Sequence, residues 1–528
     1  MNDECVRQKK GIMSIKSRLS KRWCIVLLVE IYGAAPCLSA TTQADANAPD
    51  SAALKIDIQR AILLAMENNR SLIVEKLNPE IMQTYEKERQ AAFDSTLTAE
   101  IAPGRSVQAR LSRAGSGTEN QIVDSVNGSI SLAKLFPTGT TVGLSASMRQ
   151  TDHSLYSDTF TSNRLGVTVT QALLQGRSLQ ANMARIDQAK IDTRISQYEL
   201  RGFTELLVED VETRFWDYAL AQKQIEIYTN SLTLAEQQMT ETQERIKIGT
   251  LAETELAAAQ AEVALRRENL INARSDLATE RLNLLWLLNP SKTIDWDMDI
   301  VLEYQATLPD VALDDVEQHV QVALRMRPEL NETKLLIQRG DLEVVSTRNG
   351  LLPRLDLFID FGKSGYASIF TRAAENLTED RYDVTAGLSL AYPPANRAAQ
   401  ARHSRAVVSR QQSRLALENL AQLVQVDIRS AYIEVNRTRQ QIAATAATRT
   451  SQEEKLRAET EKFRVGRSTS LLVAQAQRDL VTSQIAETQA VANYLKALVA
   501  LYRLEGSLLQ RRSIAAPGAQ PVIFPDTP

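Results

Sequence analysis

Past residue 40 the 528-residue chain has no cysteine, since Cys5, Cys24 and Cys37 all precede that point, so disulfides and thiol chemistry are excluded from the rest. It also has no further run of about 18 apolar residues, which excludes a membrane-spanning helix there; any crossing must be made by β-strands. Histidine is scarce. His153, His319 and His403 fall in a loop, an amphipathic helix and a long helix, with no metal-ligand spacing. There is no phosphate-binding glycine loop, no dinucleotide fingerprint and no motif that places a Ser/His/Asp set. Asp295 and Asp297 sit in a linker as solvated charges. Basic excess is missing too: beyond residue 40, 54 Lys and Arg face 61 Asp and Glu, so no nucleic-acid footprint exists. The sequence reads as a non-enzyme without cofactor or metal.

What is present begins with Lys16, Arg18, Lys21 and Arg22, followed by an apolar stretch from Trp23 to Ile31 and small residues up to Ala40. This is the pattern of a secretory signal over residues 1–40, cut after Ala40 or between Ala44 and Ala48, with a linker over 41–53. Cys37 as a lipidated first residue is the alternative; Pro36 before it fits a lipobox poorly.

The remainder repeats itself. Ile58 to Leu72 aligns with Val316 to Leu330 at an offset of 258, and the same offset carries Phe93 onto Leu351. Val208 to Phe215 aligns with Gln425 to Tyr432, and Gly249 with Gly466, at an offset of 217. The first copy (54–290) thus holds 41 more residues than the second (314–506), between Leu97 and Ala184, with a linker at 291–313 between them. Each copy reads as helix, strands, very long helix, tight turn, long helix. From Ser178 to Lys247 there is no proline and a single glycine, Gly202, enough helix for about 105 Å. Tyr228, Leu232, Ala235, Met239, Thr242 and Ile246 form a coiled-coil stripe. After the turn, Leu256, Ala259, Val263 and Leu270 continue it beside a second stripe of Ala257, Ala258, Ala261, Ala264 and Leu265, as expected of a helix with neighbours on both sides.

Four strands in the first copy and two in the second alternate apolar and polar, as in Val142, Leu144, Ala146 and Met148 against Gly143, Ser145 and Ser147. Asp356 and Asp360 fall on the polar side, and an aqueous lumen is their simplest home. The stretches Gly104–Gly117, Asp152–Ser162 and Lys363–Asp380 read as exposed polar loops, and residues 507–528, with four prolines, as a disordered tail or one laid along a barrel exterior.

Taken in order and twice over, these features resemble the TolC-like outer-membrane efflux family across nearly the whole mature chain. The residues that carry the likeness are Ala65 to Leu72 and its counterpart ending Arg327-Pro328-Glu329-Leu330, Ala92-Phe93-Asp94, Gln171 to Gly176, and the turns Arg245 to Gly249 and Lys462 to Gly466. The likeness implies a mainly α protein with membrane β. Antiparallel hairpins of three copies would form a periplasmic α-barrel, capped by one shared transmembrane β-barrel embedded in outer-membrane lipids. It implies a homotrimeric passive duct of a tripartite efflux or type I secretion system, served by a periplasmic adaptor and, through it, an inner-membrane transporter that selects drug, metal ion or protein. Adaptor docking falls on Arg245, Ile248, Gly249, Lys462, Val465 and Gly466. A carboxylate ring at the periplasmic mouth falls on Glu255, six residues past Gly249, whereas Leu472 and Gln475 stand at the second copy's positions. Arg70, Ala172 and Ala395 depart from the family's usual proline and glycine, and an added strand pair would make 18 strands instead of 12. The rival readings are a periplasmic adaptor, which has one hairpin and a lipoyl-like β-domain, and a soluble coiled-coil protein.

Overall fold

A computed structural model describes residues 54–111, 115, 117–154, 158–290, 295–303 and 313–522. The signal segment, the 41–53 linker and all three cysteines lie outside the described residues. The first copy runs β1 (Leu54–Ile56), α1 (Ile58–Asn68), α2 (Arg70–Gln90), β2 (Ser95–Leu111), β3 (Thr118–Leu135), β4 (Thr140–His153), β5 (Phe160–Ala172), α3 (Leu179–Lys247) and α4 (Thr254–Leu288). The second runs β6 (Ile300–Leu302), α5 (Val316–Met326), α6 (Pro328–Asn349), β7 (Arg354–Ala367), α7 (Phe370–Glu375), β8 (Tyr382–Ala391), α8 (Arg397–Arg464) and α9 (Ser470–Leu504), followed by α10 (Leu508–Arg511). At an offset of 258 β7 repeats β2, and at 217 β8 repeats β5, so the hairpin β3–β4 is the insertion.

Both long helices form unbroken, 69 and 68 residues in α3 and α8, because each supplies its own backbone hydrogen bonds and the sequence offers no proline to interrupt them. Ser178 caps α3 by accepting from the Ala181 amide. The helices share one core where α1 and α5 cross them: Leu72, Phe215, Leu284, Leu285, Leu330, Ile428 and Leu501 are all sealed from solvent. Burying each such side chain contributes about 1.5–3 kcal/mol. Short β1 and β6 pair in parallel at its edge.

β2 to β5, β7 and β8 form one antiparallel sheet in the order β2-β3-β4-β5-β7-β8. All three expected loops are partly strand, Asp152–Ser162 only at its ends, in β4 and β5. β2 and β3 continue to Leu111 and from Thr118, with Val107 to Leu111 pairing Thr118 to Ile122 beyond the point where β4 ends its pairing at His153. β7 continues to Ala367 and is followed by α7, so Lys363–Asp380 is not a plain loop either. A partner strand satisfies backbone groups whatever the side chains are, and polar composition alone therefore misplaces strand ends.

The expected disordered tail is overturned for residues 507–522. Leu508, Leu509 and Val522 are buried. Arg512 donates from Nε and Nη2 to the two carboxylate oxygens of Glu212, both at 2.6 Å. Arg201, paired with Glu205 at 3.1 Å, donates to the carbonyls of Gly518 and Gly506, each at 2.8 Å, and the Tyr198 hydroxyl donates to the Gln520 carbonyl. The Val522 amide donates to Asn331 Oδ1 at 2.9 Å. Left-handed Gly506 ends α9, and the irregular chain beyond α10 leaves carbonyls free for distant buried donors, a relation invisible to local pattern. Glu212 is enclosed, and burial pushes its carboxyl pKa up despite Arg512. Arg512→Ala is expected to lower stability by about 3–5 kcal/mol, because a buried carboxylate loses its charge partner. Chemical denaturation of the detergent-purified protein checks this; a change below about 1 kcal/mol would show that water replaces the guanidinium.

Candidate functional site

The two helical tips have the same backbone. At the first, the Gly249 amide donates to the Ile246 carbonyl at 2.9 Å and the Thr250 amide to the Arg245 carbonyl at 2.9 Å. At the second, Gly466 donates to Phe463 at 3.1 Å and Arg467 to Lys462 at 2.8 Å. Both are Schellman closures, and both glycines are left-handed, φ +79° and +74°. Open space surrounds each glycine, so the turn needs them for conformation and not for room. Arg245 pairs with Glu241 at 2.5 Å, Lys462 with Glu459 at 2.6 Å, and Ile248 and Val465 project into solvent at 72% and 69% exposure.

The chain brings the two tips together. The Arg245 guanidinium lies over the Phe463 ring, 5.0 Å from its centre. Glu255, half-buried at the start of α4, accepts a hydrogen bond from the Ser470 hydroxyl at the start of α9. Farther along, Arg478 of α9 donates to Glu262 Oε2 at 3.1 Å, and Glu262 is paired on its other oxygen with buried Arg266 at 2.5 Å. Sequence reasoning singled out Glu255 but not Phe463, Ser470, Glu262, Arg266 or Arg478, which the fold brings to the same region. Glu262 and Arg266 did carry a signal, an i,i+4 charge pair inside an alanine-rich stripe. Leu472 and Gln475 are exposed on α9 and make no such link.

At the other end the six strands share one register, and it sorts the side chains. The row Leu97, Leu132, Leu144, Val167, Phe361 and Val384 crosses all six strands, and every member is exposed by 38% or more. One residue along, the row is Thr98, Ser131, Ser145, Gly166, Gly362 and Asp383. A one-residue slip in any strand would exchange the faces. On the polar face Arg164 reaches across the glycine pair to Asp383 at 2.6 Å and to Asp360, which also accepts from Thr168 at 2.6 Å. A Cβ on Gly362 would lie 2.5 Å from the Arg164 guanidinium, so a larger residue there would displace the guanidinium from this path. Asp356 lies on the same face, its carboxylate held by Arg354 Nε at 2.7 Å. Aromatic side chains mark both margins of the apolar face: Tyr382 stacks on Phe361 away from the helices, and Phe136 and Tyr392 stand beside them.

Among the described residues no helix is long and apolar enough to cross a membrane, and no group of three or more His, Cys, Asp or Glu is placed to hold a metal. No curated protein sequence matches the chain. Solved structures do match its fold: a membrane protein from Pseudomonas aeruginosa at 19% identity and TM-score 0.63, over 85% of this chain and 93% of that one. The outer membrane protein VceC from Vibrio cholerae matches at 12% and 0.62, over 85% and 96%, and the CmeC outer membrane channel of Campylobacter jejuni at 12% and 0.63, over 85% and 86%. A family model described as outer membrane efflux protein covers residues 105–289 and 319–507, both hairpins and most of the sheet. Neither an adaptor with one hairpin nor a soluble coiled coil accounts for that match, and the chain belongs to the outer membrane efflux protein family.

Proposed function

We propose that three copies of the chain form a passive exit duct, with their sheets closed into one 18-stranded barrel in the outer membrane and their hairpins closed into a periplasmic tunnel. The observation that carries this reading is the sheet: one face crossed by an unbroken apolar row that is nonetheless exposed, the other polar, and its two edges, β2 and β8, unpaired among the described residues. An apolar face needs lipid and unpaired edges need strands, and further copies supply the strands. Six strands are too few to enclose a wide lumen alone. The small-residue stripe of α4, Ala257, Ala258, Ala261 and Ala264, is exposed in the single chain, as a helix awaiting a second neighbour would be. Asp356 and Asp360 then face the water-filled lumen.

In this reading the chain supplies the route and an inner-membrane pump supplies the energy, reaching the duct through a periplasmic adaptor in tripartite efflux or type I secretion. The tips are the adaptor's landing site: Ile248 and Val465 offer apolar knobs, and Arg245 and Lys462 offer positive charge beside them. The pairs Glu255–Ser470 and Glu262–Arg478 hold the two hairpins of one copy together near the mouth, so their release is the opening step.

Bilayer recording tests both statements. Protein extracted from outer membranes in detergent is expected to have the mass of three chains and to conduct weakly, while Glu262→Gln combined with Ser470→Ala raises conductance several-fold, since each broken link removes about 1 kcal/mol or more from the closed form. A single-chain mass that needs no detergent would sink the duct; a three-chain pore with unchanged conductance would sink the lock alone.

A further inference from the structure

The long helices beside the core pack laterally in the order α2, α3, α6, α8. Because α6 repeats α2 and α8 repeats α3, the α3–α6 junction has a counterpart in which α8 meets an α2, and the chain does not make that contact with its own α2. The internal junction is closed by Leu335 of α6, fully buried against Tyr198 of α3 with Ile191 and Ile195 beside them. Shifted by 217, Ile191 and Tyr198 become Val408 and Leu415, which are 65% and 55% exposed. Shifted back by 258, Leu335 becomes Leu77, 49% exposed on α2. The same knob and two members of the same socket thus occur twice, once filled within the chain and once open at both of its sides; of the other members, Ile195 becomes Gln412 and Val522, from the C-terminal segment, has no counterpart.

We infer that the open pair is filled between copies: Leu77 of one chain seats between Val408 and Leu415 of the next. This rests on the homotrimer reading and adds the residues that set its rotation. The chemistry of the flanking positions agrees. Inside the chain Arg339 pairs with Asp192 at 2.8 Å; their counterparts are Ile81 and Ser409, so the junction between copies would not have to desolvate this ion pair. Glu343, which accepts from Gln188 at 2.9 Å, is replaced by Tyr85, and Gln188 by Arg405, a pair suited to stacking of guanidinium on ring. An arrangement that returns to its start after three such junctions is closed, and it leaves neither stripe exposed.

Paired cysteines decide it. In Leu77→Cys with Val408→Cys, or Leu77→Cys with Leu415→Cys, mild oxidation of the assembled protein is expected to give covalent dimers and trimers that reduction removes, because a disulfide forms only where the β-carbons come within about 4.5 Å. The unsubstituted chain and each single variant give no ladder, and Leu335→Cys with Ile191→Cys consumes its thiols without a change of mass. A three-chain mass with no ladder from either pair, while that internal control closes, overturns the junction and leaves the homotrimer standing. So does loss of the Leu77→Cys and Val408→Cys thiols without a mass change. A single-chain mass before oxidation overturns the homotrimer and the junction together.

Discussion

Leu132→Arg combined with Val167→Arg is expected to remove the protein from the outer membrane almost completely, while Thr98→Arg combined with Ser145→Arg leaves its amount within about twofold of the parent. The four positions lie on neighbouring rows of one sheet, one residue apart in register, and each pair adds two positive charges, the polar-face pair with the larger increase in bulk. The smaller steric change falls on the apolar face, so the greater loss expected there comes from the face and not from size. An arginine on the lipid side near mid-membrane costs about 2–4 kcal/mol per site. Two per chain therefore approach the whole stability of a typical domain, about 5–15 kcal/mol. On the lumen side the guanidinium stays in water. The amount of heat-modifiable oligomer in the outer-membrane fraction is the readout, and equal loss from both pairs would mean that the apolar face does not meet lipid.

Substitution of both tip glycines by valine should leave the assembled oligomer in place and cut export at least tenfold. At φ +79° and +74° a β-branched residue costs roughly 1–3 kcal/mol in backbone strain. That is small beside the core, where a single leucine contributes about 1.5–3 kcal/mol, but it falls entirely on the last turn of each helix. Asparagine, which visits the left-handed region, should restore export at the same two positions. Arg245→Glu with Lys462→Glu is expected to act in the same direction without altering the oligomer, since exposed ion pairs are worth about 0–1 kcal/mol. Arg245 additionally loses its contact with Phe463, so part of its effect will come from the spacing of the two tips. If the chain with all four changes, Gly249→Val, Gly466→Val, Arg245→Glu and Lys462→Glu, exports normally, the tips are not where the adaptor lands.

Much of this architecture is written locally. The long helices follow from uninterrupted helix-compatible sequence, and the tip turns from a glycine after a basic helix end. The six strands are legible from period-two alternation, because the pleat sends neighbours to opposite faces regardless of the partner strand. Alternation does not show where pairing ends, and so the β2–β3 hairpin and β7 run into the polar stretches taken for loops. The candidate site was half legible. Gly249, Gly466 and Glu255 stand out by position along the chain, whereas Ser470 lies 215 residues from Glu255, and Arg478 lies 216 from Glu262. No periodic signal specifies which residues of two separate hairpins face each other; the packing of α9 beside α4 does.

By itself the sequence determined the duplication, by self-similarity along the chain, and the phase of the six sheet strands and the closure of both tips, since these depend on the character of residues within a few positions of one another. The tertiary structure alone decided that Arg201 and Glu212 bind the C-terminal segment, that Arg164 crosses a glycine pair to two aspartates on other strands, and that Val408 and Leu415 stay uncovered while Ile191 and Tyr198 are packed. Those outcomes are set by which elements meet in space, and the free energy of a buried charge or an open apolar socket depends on the neighbour it meets and not on its own place in the chain.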